Sequence, residues 1–254
     1  MNLFDLTGKI AIVTGASSGL GVQFAKALAR QGADVAIVAR RLEKLESLSK
    51  EITSMGRKCL AVKCDVTNEQ DIINAVKKIV NEYGTIDILV NNAGISVVEK
   101  VEEHSLELWN KVIQTNLTGV FLFAREVGKT MIKNKYGKVI NTASINGHVG
   151  SLGGTNTAYC ASKGAVVNFT RALSAEWAPY NITVNAIGPG CFESEMTAEL
   201  IGNEFFEQLV KSRCPMGRMG RQGELDGALI YLASDASSYT TGQTIFVDGG
   251  WTSV

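Results

Sequence analysis

The chain has 254 residues, of which 45% are hydrophobic and 20% charged, and its 25 basic and 25 acidic residues give a formal net charge of zero. This composition is typical of a globular protein with enough apolar material for one sizeable core. A chain without excess positive charge lacks the surface that nucleic acids or anionic membranes attract, which argues against both of those function classes.

The five cysteines are an odd number, and no two of them have the C-x-x-C spacing of a metal site. No basic and apolar leader precedes the first apolar run, and no stretch of about 18 apolar residues occurs. Free thiols in a reducing compartment fit this pattern best. We therefore expect a cytoplasmic protein without disulfides or membrane spans.

Short β-branched runs alternate along the chain with longer amphipathic runs. The runs that predict strands are Ile10–Val13, Asp34–Val38, Cys59–Val62, Ile86–Val90, Val139–Thr142, Thr183–Ile187 and Thr244–Val247. The runs that predict helices are Leu20–Gln31, Leu42–Met55, Glu69–Tyr83, Leu106–Lys133, Tyr159–Trp177 and Glu224–Ser234.

This alternation predicts an α/β fold with a parallel sheet of seven strands and helices on both faces. Right-handed crossovers make such a sheet doubly wound and Rossmann-like. Without repeats or a linker, residues 1–254 are expected to form a single domain. Two stretches, Ile145–Thr157 and Cys191–Arg221, interrupt the alternation, and we expect the second to be a substrate loop or helix insertion. Ligands bind beyond the carboxyl ends of the strands in such folds, where these stretches fall.

A glycine-rich segment, Thr14–Gly21, follows the first strand and opens the first helix. Glycine lets the backbone approach a pyrophosphate closely, and a helix N-terminus offers free N–H groups and partial positive charge. A tight structural turn would also explain the glycines, but their position between strand and helix indicates dinucleotide binding. The residues expected to contact the dinucleotide are Gly15, Ser17, Ser18, Gly19, Leu20 and Gly21.

Three further blocks occur at matching elements. They are Asn91-Asn92-Ala93-Gly94 at the end of the fourth strand, Tyr159-x-x-x-Lys163 opening a helix, and Pro189-Gly190 after the sixth strand. With the spacing Gly15-x-x-x-Gly19-x-Gly21, they make the chain resemble the short-chain dehydrogenase/reductase family from Lys9 to Gly250. The resemblance implies an oxidoreductase that moves hydride between a nicotinamide dinucleotide and a carbonyl or secondary alcohol.

The resemblance also implies cofactor contacts outside the glycine turn. It places Asp65 at the adenine amino group and Val66 beside the ring, although Asp65 equally fits an N-cap for the helix near Glu69. The other implied contacts lie along the cofactor and around its nicotinamide, at Asn92, Ala93, Gly94, Tyr159, Lys163, Pro189, Gly190 and Ser194. Serine stands at the last position where relatives usually carry threonine, and it keeps the hydroxyl.

Charge at the end of the second strand favours NADP(H) over NAD(H). Enzymes that use NAD commonly carry an acidic residue there, which binds the ribose 2′-hydroxyl. This chain has Ala39 followed by Arg40 and Arg41, and a guanidinium group pairs bidentately with a phosphate. We expect Ser17 to add a hydroxyl contact. The alternative is that both arginines are solvated residues at the start of a helix.

Tyr159 and Lys163 are four residues apart on a predicted helix and therefore share a face. Reduction of a carbonyl leaves an alkoxide that must be protonated, and a free tyrosine with a pKa of about 10 exchanges protons poorly at neutral pH. An ammonium ~4 Å away at an effective dielectric of ~20 favours the phenolate by ~4 kcal/mol. We therefore predict that Lys163 brings the pKa of Tyr159 down by about three, close to neutrality. The bare spacing, by contrast, usually marks only a helix surface.

Two polar residues match the remaining catalytic positions of the family. Ser144 lies just beyond the fifth strand, where its hydroxyl would hydrogen-bond the substrate oxygen, although serine there often only forms a turn. Asn116 is polar within the apolar Leu106–Lys133 helix and needs a bonding partner. In relatives this asparagine kinks the helix and helps to hold a water linked to the lysine. The predicted catalytic residues are Asn116, Ser144, Tyr159 and Lys163.

No metal site is expected, because the two histidines, His104 and His148, are isolated from carboxylate clusters. The resemblance implies that the Leu106–Lys133 helix and the next one form dimer contacts. It also implies that the Trp251–Val254 tail packs in a second interface of a homotetramer. The expected partners are therefore a small carbonyl or alcohol substrate and further copies of this chain.

The substrate is less constrained than the chemistry. Three segments lie mostly outside the substrate pocket, namely Phe4–Lys9, Met216–Arg218 and Val247–Trp251. On these segments the chain resembles most the bacterial sugar-acid branch of the family, such as gluconate 5-dehydrogenase and 2-deoxygluconate 3-dehydrogenase. Fourteen residues separate Ser144 from Tyr159, more than is usual in the family, and none is Arg or Lys. Arg213 and Arg218 are the nearest basic candidates to hold a carboxylate. A neutral ketone, a 3-oxoacyl thioester or a steroid therefore remains open.

Two alternatives come from other classes of protein. A catalytically silent NADP(H)-binding regulator would have no need of the complete set of proton-transfer residues. A Rossmann-type methyltransferase would share the first strand and the glycine turn, but it would not need Tyr159 and Lys163.

Overall fold

The structure is a computed structural model that describes residues 2–151, 155–193, 195, 197 and 202–254. Within these ranges the strands are β1 (Ile10–Thr14), β2 (Asp34–Ala39), β3 (Cys59–Lys63), β4 (Ile88–Asn91), β5 (Gly137–Thr142), β6 (Ile182–Pro189) and β7 (Thr244–Val247). The α-helices of the same ranges are α1 (Gly19–Arg30), α2 (Leu42–Ser54), α3 (Glu69–Tyr83), α4 (Leu106–Ile113), α5 (Gly119–Asn134), α6 (Thr157–Trp177), α7 (Glu204–Arg213) and α8 (Asp226–Ala233).

The seven described strands form one sheet in the order β3-β2-β1-β4-β5-β6-β7, and every neighbouring pair is parallel. The chain winds outward from β1 through β2 to β3 and then returns to place β4 on the other side of β1. This reversal makes a topological switch point, and the crevice at the carboxyl ends of β1 and β4 is where such sheets bind ligands. The predicted doubly wound parallel sheet of seven strands is confirmed.

Helices cover both faces of the sheet, so successive side chains of one strand enter different layers of the core. In β1, Ala11 and Val13 pack in the layer that contains α1, α2 and α8, whereas Ile12 packs in the layer of α3, α5 and α6. Phe24 of α1 and Phe123 of α5 are almost completely buried, one in each layer. Burial on both faces explains why the strands are continuous apolar runs. No described helix combines the length and hydropathy that a membrane crossing needs.

One predicted helix is interrupted, and the expected insertion contains a helix. The single helix predicted over Leu106–Lys133 is interrupted, because a π-helical turn at Gln114–Thr118 joins α4 to α5. The stretch Cys191–Arg221, expected to be a substrate loop or helix insertion, contains the helix α7. Asn203 caps α7 by accepting a hydrogen bond from the N–H of Phe206 at 3.0 Å. Only Val210 of this helix is buried, so its apolar periodicity is weak.

The alternative role of Asp65 as an N-cap is wrong. The cap of α3 is Asn68, whose side-chain oxygen accepts from the N–H of Asp71 at 3.1 Å. Asp65 instead accepts from both the N–H and the hydroxyl of Thr67, at 2.9 and 2.8 Å. This tight turn occupies the carboxylate of Asp65 outside the helix and holds it just beyond β3, at the edge of the sheet where ligands bind.

Candidate active site

The glycine turn lies at the switch point between β1 and β4. Gly15 has a φ of +67°, and a Cβ there would lie 2.8 Å from the Cα of Ala93, so a side chain does not fit. The hydroxyl of Thr14 accepts from the N–H groups of Asn92 and Ala93 at 3.0 and 3.1 Å. Asn92 in turn donates to the carbonyl of Thr14 at 3.0 Å. The block after β4 is thereby held against the turn, which is the close approach that a dinucleotide cradle needs.

The other predicted cofactor residues that the structure describes lie along the same edge of the sheet. Those described are Gly19, Leu20 and Gly21 in the first turn of α1, Asp65 and Val66 after β3, Gly94 after β4, and Pro189 and Gly190 at the end of β6. A Cβ on Gly21 would collide with the carbonyl of Gly15, so this glycine keeps the turn and α1 in contact. Ser194 lies outside the described residues.

The two arginines after β2 occupy different positions. Arg41 donates to the Ser17 hydroxyl at 3.0 and 3.2 Å and to the Ser18 hydroxyl at 2.9 Å, so its guanidinium lies against the glycine turn. Arg40 is exposed. Burial raises the pKa of Asp65, but hydrogen bonds within its turn and the charge of Arg40 outweigh burial and leave that pKa below its ordinary value. Of the two arginines, Arg41 is the one beside Ser17.

Two residues that were not predicted, Lys44 and Glu195, form a charged cluster with Arg41, Ser17 and Ser18. This cluster is called the Arg41 corner below. Arg41 pairs with Glu195 at 2.9 and 3.3 Å, and Lys44 donates to the same carboxylate at 3.1 Å. Hydrogen bonds from Arg41, then Lys44, then Ser18 lower the pKa of Glu195 to about 2. Lys44 lies three residues after Arg41 on α2, and this spacing could have indicated it. No sequence signal points to Glu195.

Tyr159, Lys163 and Ser144 meet at the carboxyl end of β5. Tyr159 lies in the first turn of α6, and Lys163 follows one turn later on the same face. The Lys163 Nζ lies 5.6 Å from the centroid of the Tyr159 ring and donates to the carbonyl of Thr142 at 2.6 Å. The Ser144 hydroxyl accepts from the N–H of Asn146 at 3.1 Å, which orients it just beyond the strand.

Burial dominates the electrostatics of this group. It raises the pKa of Tyr159, and a side-chain hydrogen bond with Ser144 opposes that rise. Burial also lowers the pKa of Lys163 to about 8. The predicted fall of the Tyr159 pKa toward neutrality is therefore wrong for this arrangement. The ammonium of Lys163 donates to the Thr142 carbonyl, and the loss of water around the tyrosine is the largest influence on its pKa.

Asn116 lies in the π turn between α4 and α5 and is fully buried. Its side-chain oxygen accepts from the N–H of Ile95 at 2.8 Å, and its NH₂ group donates to the Ile95 carbonyl at 2.9 Å and to the Ser162 hydroxyl at 3.0 Å. Ser162 donates to the carbonyl of Tyr159 at 2.7 Å. The asparagine thus ties the segment after β4 to the turn of α6 that carries Tyr159 and Lys163. π turns frequently occur at functional sites.

The loop after Ser144 begins with a short helical turn, Ile145–Gly147. His148 follows it, exposed to solvent and packed on Phe246 with ring centroids 5.1 Å apart. An aromatic contact of this kind is a surface role for the histidine. Within the described part of the chain, no three His, Cys, Asp or Glu side chains come together as a metal site.

A cavity of about 340 Å³ lies beyond β6 and β7, between the segment that leads into α7 and the C-terminal tail. Its walls include Cys191, Cys214 and Trp251. Arg218, one of the two basic residues expected to hold a carboxylate, is on this wall and donates to both carboxylate oxygens of Glu224 at 2.8 Å. Its guanidinium is therefore already engaged with an acid of the same chain.

These features define a class: a doubly wound α/β protein with a dinucleotide cradle at the switch point of its sheet and a tyrosine–lysine pair at the next strand end. The chain matches, over residues 15–252, a family model described as enoyl-(acyl carrier protein) reductase. Gluconate 5-dehydrogenase of Gluconobacter oxydans (strain 621H) is 39% identical over 251 residues, which cover 99% of this chain and 97% of that protein.

Two solved structures are similar over the whole chain. A short-chain type dehydrogenase/reductase from Mycobacterium marinum has a TM-score of 0.95 at 42% identity, covering 99% of this chain and 98% of that one. A gluconate 5-dehydrogenase from Burkholderia cenocepacia J2315, in complex with NADP and tartrate, has a TM-score of 0.96 at 37% identity, covering 100% and 98%. The chain belongs to the short-chain dehydrogenase/reductase family and is an oxidoreductase. The methyltransferase alternative is therefore wrong.

Proposed function

We propose that this chain is an NADP(H)-dependent dehydrogenase that interconverts a ketone and a secondary alcohol on a sugar acid of the gluconate type. The observation that carries the proposal is the common location of three features. The glycine turn, the Arg41 corner and the Tyr159–Lys163 pair all lie at the carboxyl edge of the sheet, around the switch point. The similarity to gluconate 5-dehydrogenases, one of them crystallised with NADP, supports this cofactor and substrate class.

The residues present fit a bound NADP(H). Gly15 and Gly21 let the turn pack tightly on the segment after β4 and on α1, since a Cβ at either position would collide with neighbouring backbone. The pyrophosphate would lie against this turn, at the N-terminus of α1. Arg41 and Ser17 would hold the ribose 2′-phosphate, and Lys163 the nicotinamide ribose. Bound NADPH would supply the hydride. Asp65 and Val66 would meet the adenine, as the family resemblance implies.

In this proposal Tyr159 gives its hydroxyl proton to the substrate oxygen when the carbonyl carbon is reduced, so that an alcohol forms and a phenolate remains. Ser144 donates a hydrogen bond to the same oxygen and stabilises the charge that develops there. Lys163, with a pKa of about 8, is mostly protonated at neutral pH and stabilises the phenolate. Asn116 positions α6 and supports the relay that reprotonates Tyr159.

An acyl thioester is the second candidate substrate, because the matching family model is described as an enoyl-(acyl carrier protein) reductase. The engagement of Arg218 with Glu224 also removes one of the two basic residues that a sugar carboxylate would use. If the substrate is a sugar acid, its carboxylate would be held by neutral hydrogen-bond donors or by Arg213.

We propose further that the enzyme is a cytoplasmic homotetramer in which residues 1–254 act as one dinucleotide-binding and catalytic domain. Large apolar side chains are exposed on α4 and α5 and in the loop before them, namely Leu106, Phe121, Val98 and Val101. Exposed apolar patches often mark subunit interfaces, and these side chains support a contact through α4 and α5.

The test is a comparison of initial rates on 5-keto-D-gluconate, a 3-oxoacyl thioester and a hydrophobic ketone, each with NADPH and with NADH. We expect the sugar acid with NADPH to give the highest kcat/KM. A higher value for the thioester or the neutral ketone would show that the substrate is not a sugar acid. A preference for NADH would refute the proposal that Arg41 holds the 2′-phosphate. No oxidation of NADPH with any substrate would favour a silent regulator.

A further inference from the structure

The carboxylate of Glu195 lies beside the glycine turn, where it is the negative partner of Arg41 and Lys44. The three guanidinium nitrogens of Arg41 are shared between this carboxylate and the hydroxyls of Ser17 and Ser18. Lys44 approaches the same carboxylate from the first turn of α2, at 3.1 Å. Two cations around one carboxylate, with the hydroxyls of Ser17 and Ser18 on the same guanidinium, make the kind of environment that binds a phosphate.

We propose that Glu195 is a specificity-determining residue whose carboxylate competes with the ribose 2′-phosphate of NADP(H) for Arg41. This inference rests on the proposed function, because it requires that Arg41 hold that phosphate. On this view Glu195 weakens the binding of NADPH while it leaves the binding of NADH nearly unchanged. It thereby moderates the cofactor preference that the arginine alone would give.

Competition follows from the chemistry of the two anions. A carboxylate and a phosphate use the same charge-assisted hydrogen bonds to guanidinium, and at hydrogen-bond distance from one guanidinium they repel each other. Glu195 must therefore withdraw from Arg41 before a 2′-phosphate can take its place. NADH has a hydroxyl in that position and does not require the withdrawal.

The size of the effect follows from exposure. The side chains of Arg41 and Glu195 are 40% and 54% exposed, and that of Lys44 is 47% exposed, so solvent screens both ion pairs. Exposed pairs of this kind usually contribute little to stability, and their separation should change a binding constant by about two- to fivefold. The low pKa of Glu195 means that the carboxylate stays charged throughout the range in which the enzyme would be assayed.

The experiment measures the Kd of NADPH and of NADH by fluorescence titration for the wild type and for Glu195→Gln. We expect the Gln variant to bind NADPH about two- to fivefold more tightly, with NADH unchanged, and the gain to shrink in high salt. Glu193→Gln is the matched control, because Glu193 is exposed two residues away and has the same charge. That variant should leave both constants as they are.

Two outcomes would overturn the inference. Unchanged NADPH binding in Glu195→Gln would show that no competition occurs, and weaker binding of both cofactors would show that Glu195 closes over the dinucleotide. Arg41→Ala separates this inference from the proposed function. If Arg41→Ala leaves NADPH binding intact, the proposed phosphate site is wrong. If it weakens NADPH binding and Glu195→Gln still has no effect, only the role of Glu195 is wrong.

Discussion

The proton-transfer group and the Arg41 corner lie on the same edge of the sheet, but they are built differently. Asn116, Ser144 and Lys163 are buried and are held mainly by hydrogen bonds to backbone groups. Arg41 and Glu195 are both partly exposed and are held by charge. The first group keeps its geometry through hydrogen bonds that are shielded from water, and the second keeps its partners through electrostatic attraction in water.

This difference indicates how each region should respond to change. A buried polar network loses much when one partner is removed, because the groups left behind cannot turn to water. An exposed ion pair loses little, and salt weakens it further. We therefore expect that mutations alter the cofactor preference of the enzyme more easily than they alter its chemistry.

The largest effect should come from Tyr159→Phe, which removes the proposed proton donor and keeps the ring. We expect kcat to fall about 10³-fold, within the range that general acid catalysis contributes, while the Kd of NADPH stays within about twofold. Stopped assays of turnover and fluorescence titration of NADPH check the two parts. Tyr180→Phe, at an exposed tyrosine, is the control, and substantial turnover by Tyr159→Phe would rule out the proposed role.

Asn116→Ala should be the next most damaging change. It deletes two hydrogen bonds to the Ile95 backbone and one to Ser162, and we expect a loss of about 3 kcal/mol in the free energy of unfolding. Urea denaturation measures it. Asn110→Ala, at an exposed asparagine of α4, should cost no more than about 0.5 kcal/mol. Equal losses in the two variants would show that the buried network adds no stability.

Lys163→Met should change how stability depends on pH. The pKa of Lys163 is about 8 in the folded chain against an ordinary 10.5, so between these values the unfolded chain binds more protons and the lysine makes stability rise with pH. Between pH 7 and pH 10 the stability of the Met variant relative to the wild type should therefore fall by about 2 kcal/mol.

The measurement is urea denaturation at several pH values in that range, with Lys133→Met, at an exposed lysine of α5, as the control. The difference between variant and wild type isolates this lysine from the tyrosines and cysteines that also titrate in the range. A constant difference for Lys163→Met would mean that the buried lysine titrates like a free one.

The smallest effect should come from Ser17→Ala in the Arg41 corner. The variant removes a hydroxyl that accepts hydrogen bonds from Arg41. Because a neutral partner of this kind contributes modestly, we expect the Kd of NADPH to rise about threefold. NADH should bind as before. Ser54→Ala, at an exposed serine at the end of α2, controls for nonspecific effects. Equal weakening of both cofactors would place the hydroxyl in the general cradle rather than at the 2′-phosphate.

The sheet was predictable because its central strands are buried on both faces, and β1 shows this in five consecutive buried residues, Ile10–Thr14. The glycine turn was predictable because its conformation excludes other residues, as at Gly15. Asn116 was recognisable as a polar residue in an apolar helix. In all of these cases the physical requirement acts on residues that are close together in the sequence.

The features that were not predictable depend on contacts between distant parts of the chain or on exclusion of solvent. Arg41 and Glu195 are 154 positions apart, and no local pattern predicts that they meet. Helix α7 buries too little apolar surface to show periodicity. The predicted direction of the Tyr159 pKa shift was wrong, because the prediction included the charge of Lys163 and omitted the loss of water around both groups. Burial is a property of the assembled fold, so sequence spacing does not report it.

The π turn at Gln114–Thr118 has a consequence for the length of the chain. A π turn fits one residue more into a helix than regular α-helical geometry allows. Deleting a single residue from this segment would let α4 and α5 join as one regular helix. The shorter chain would gain regular backbone hydrogen bonds, but it would rotate Asn116 away from Ile95 and Ser162. Selection for function at this site therefore acts on the number of residues as well as on their identity.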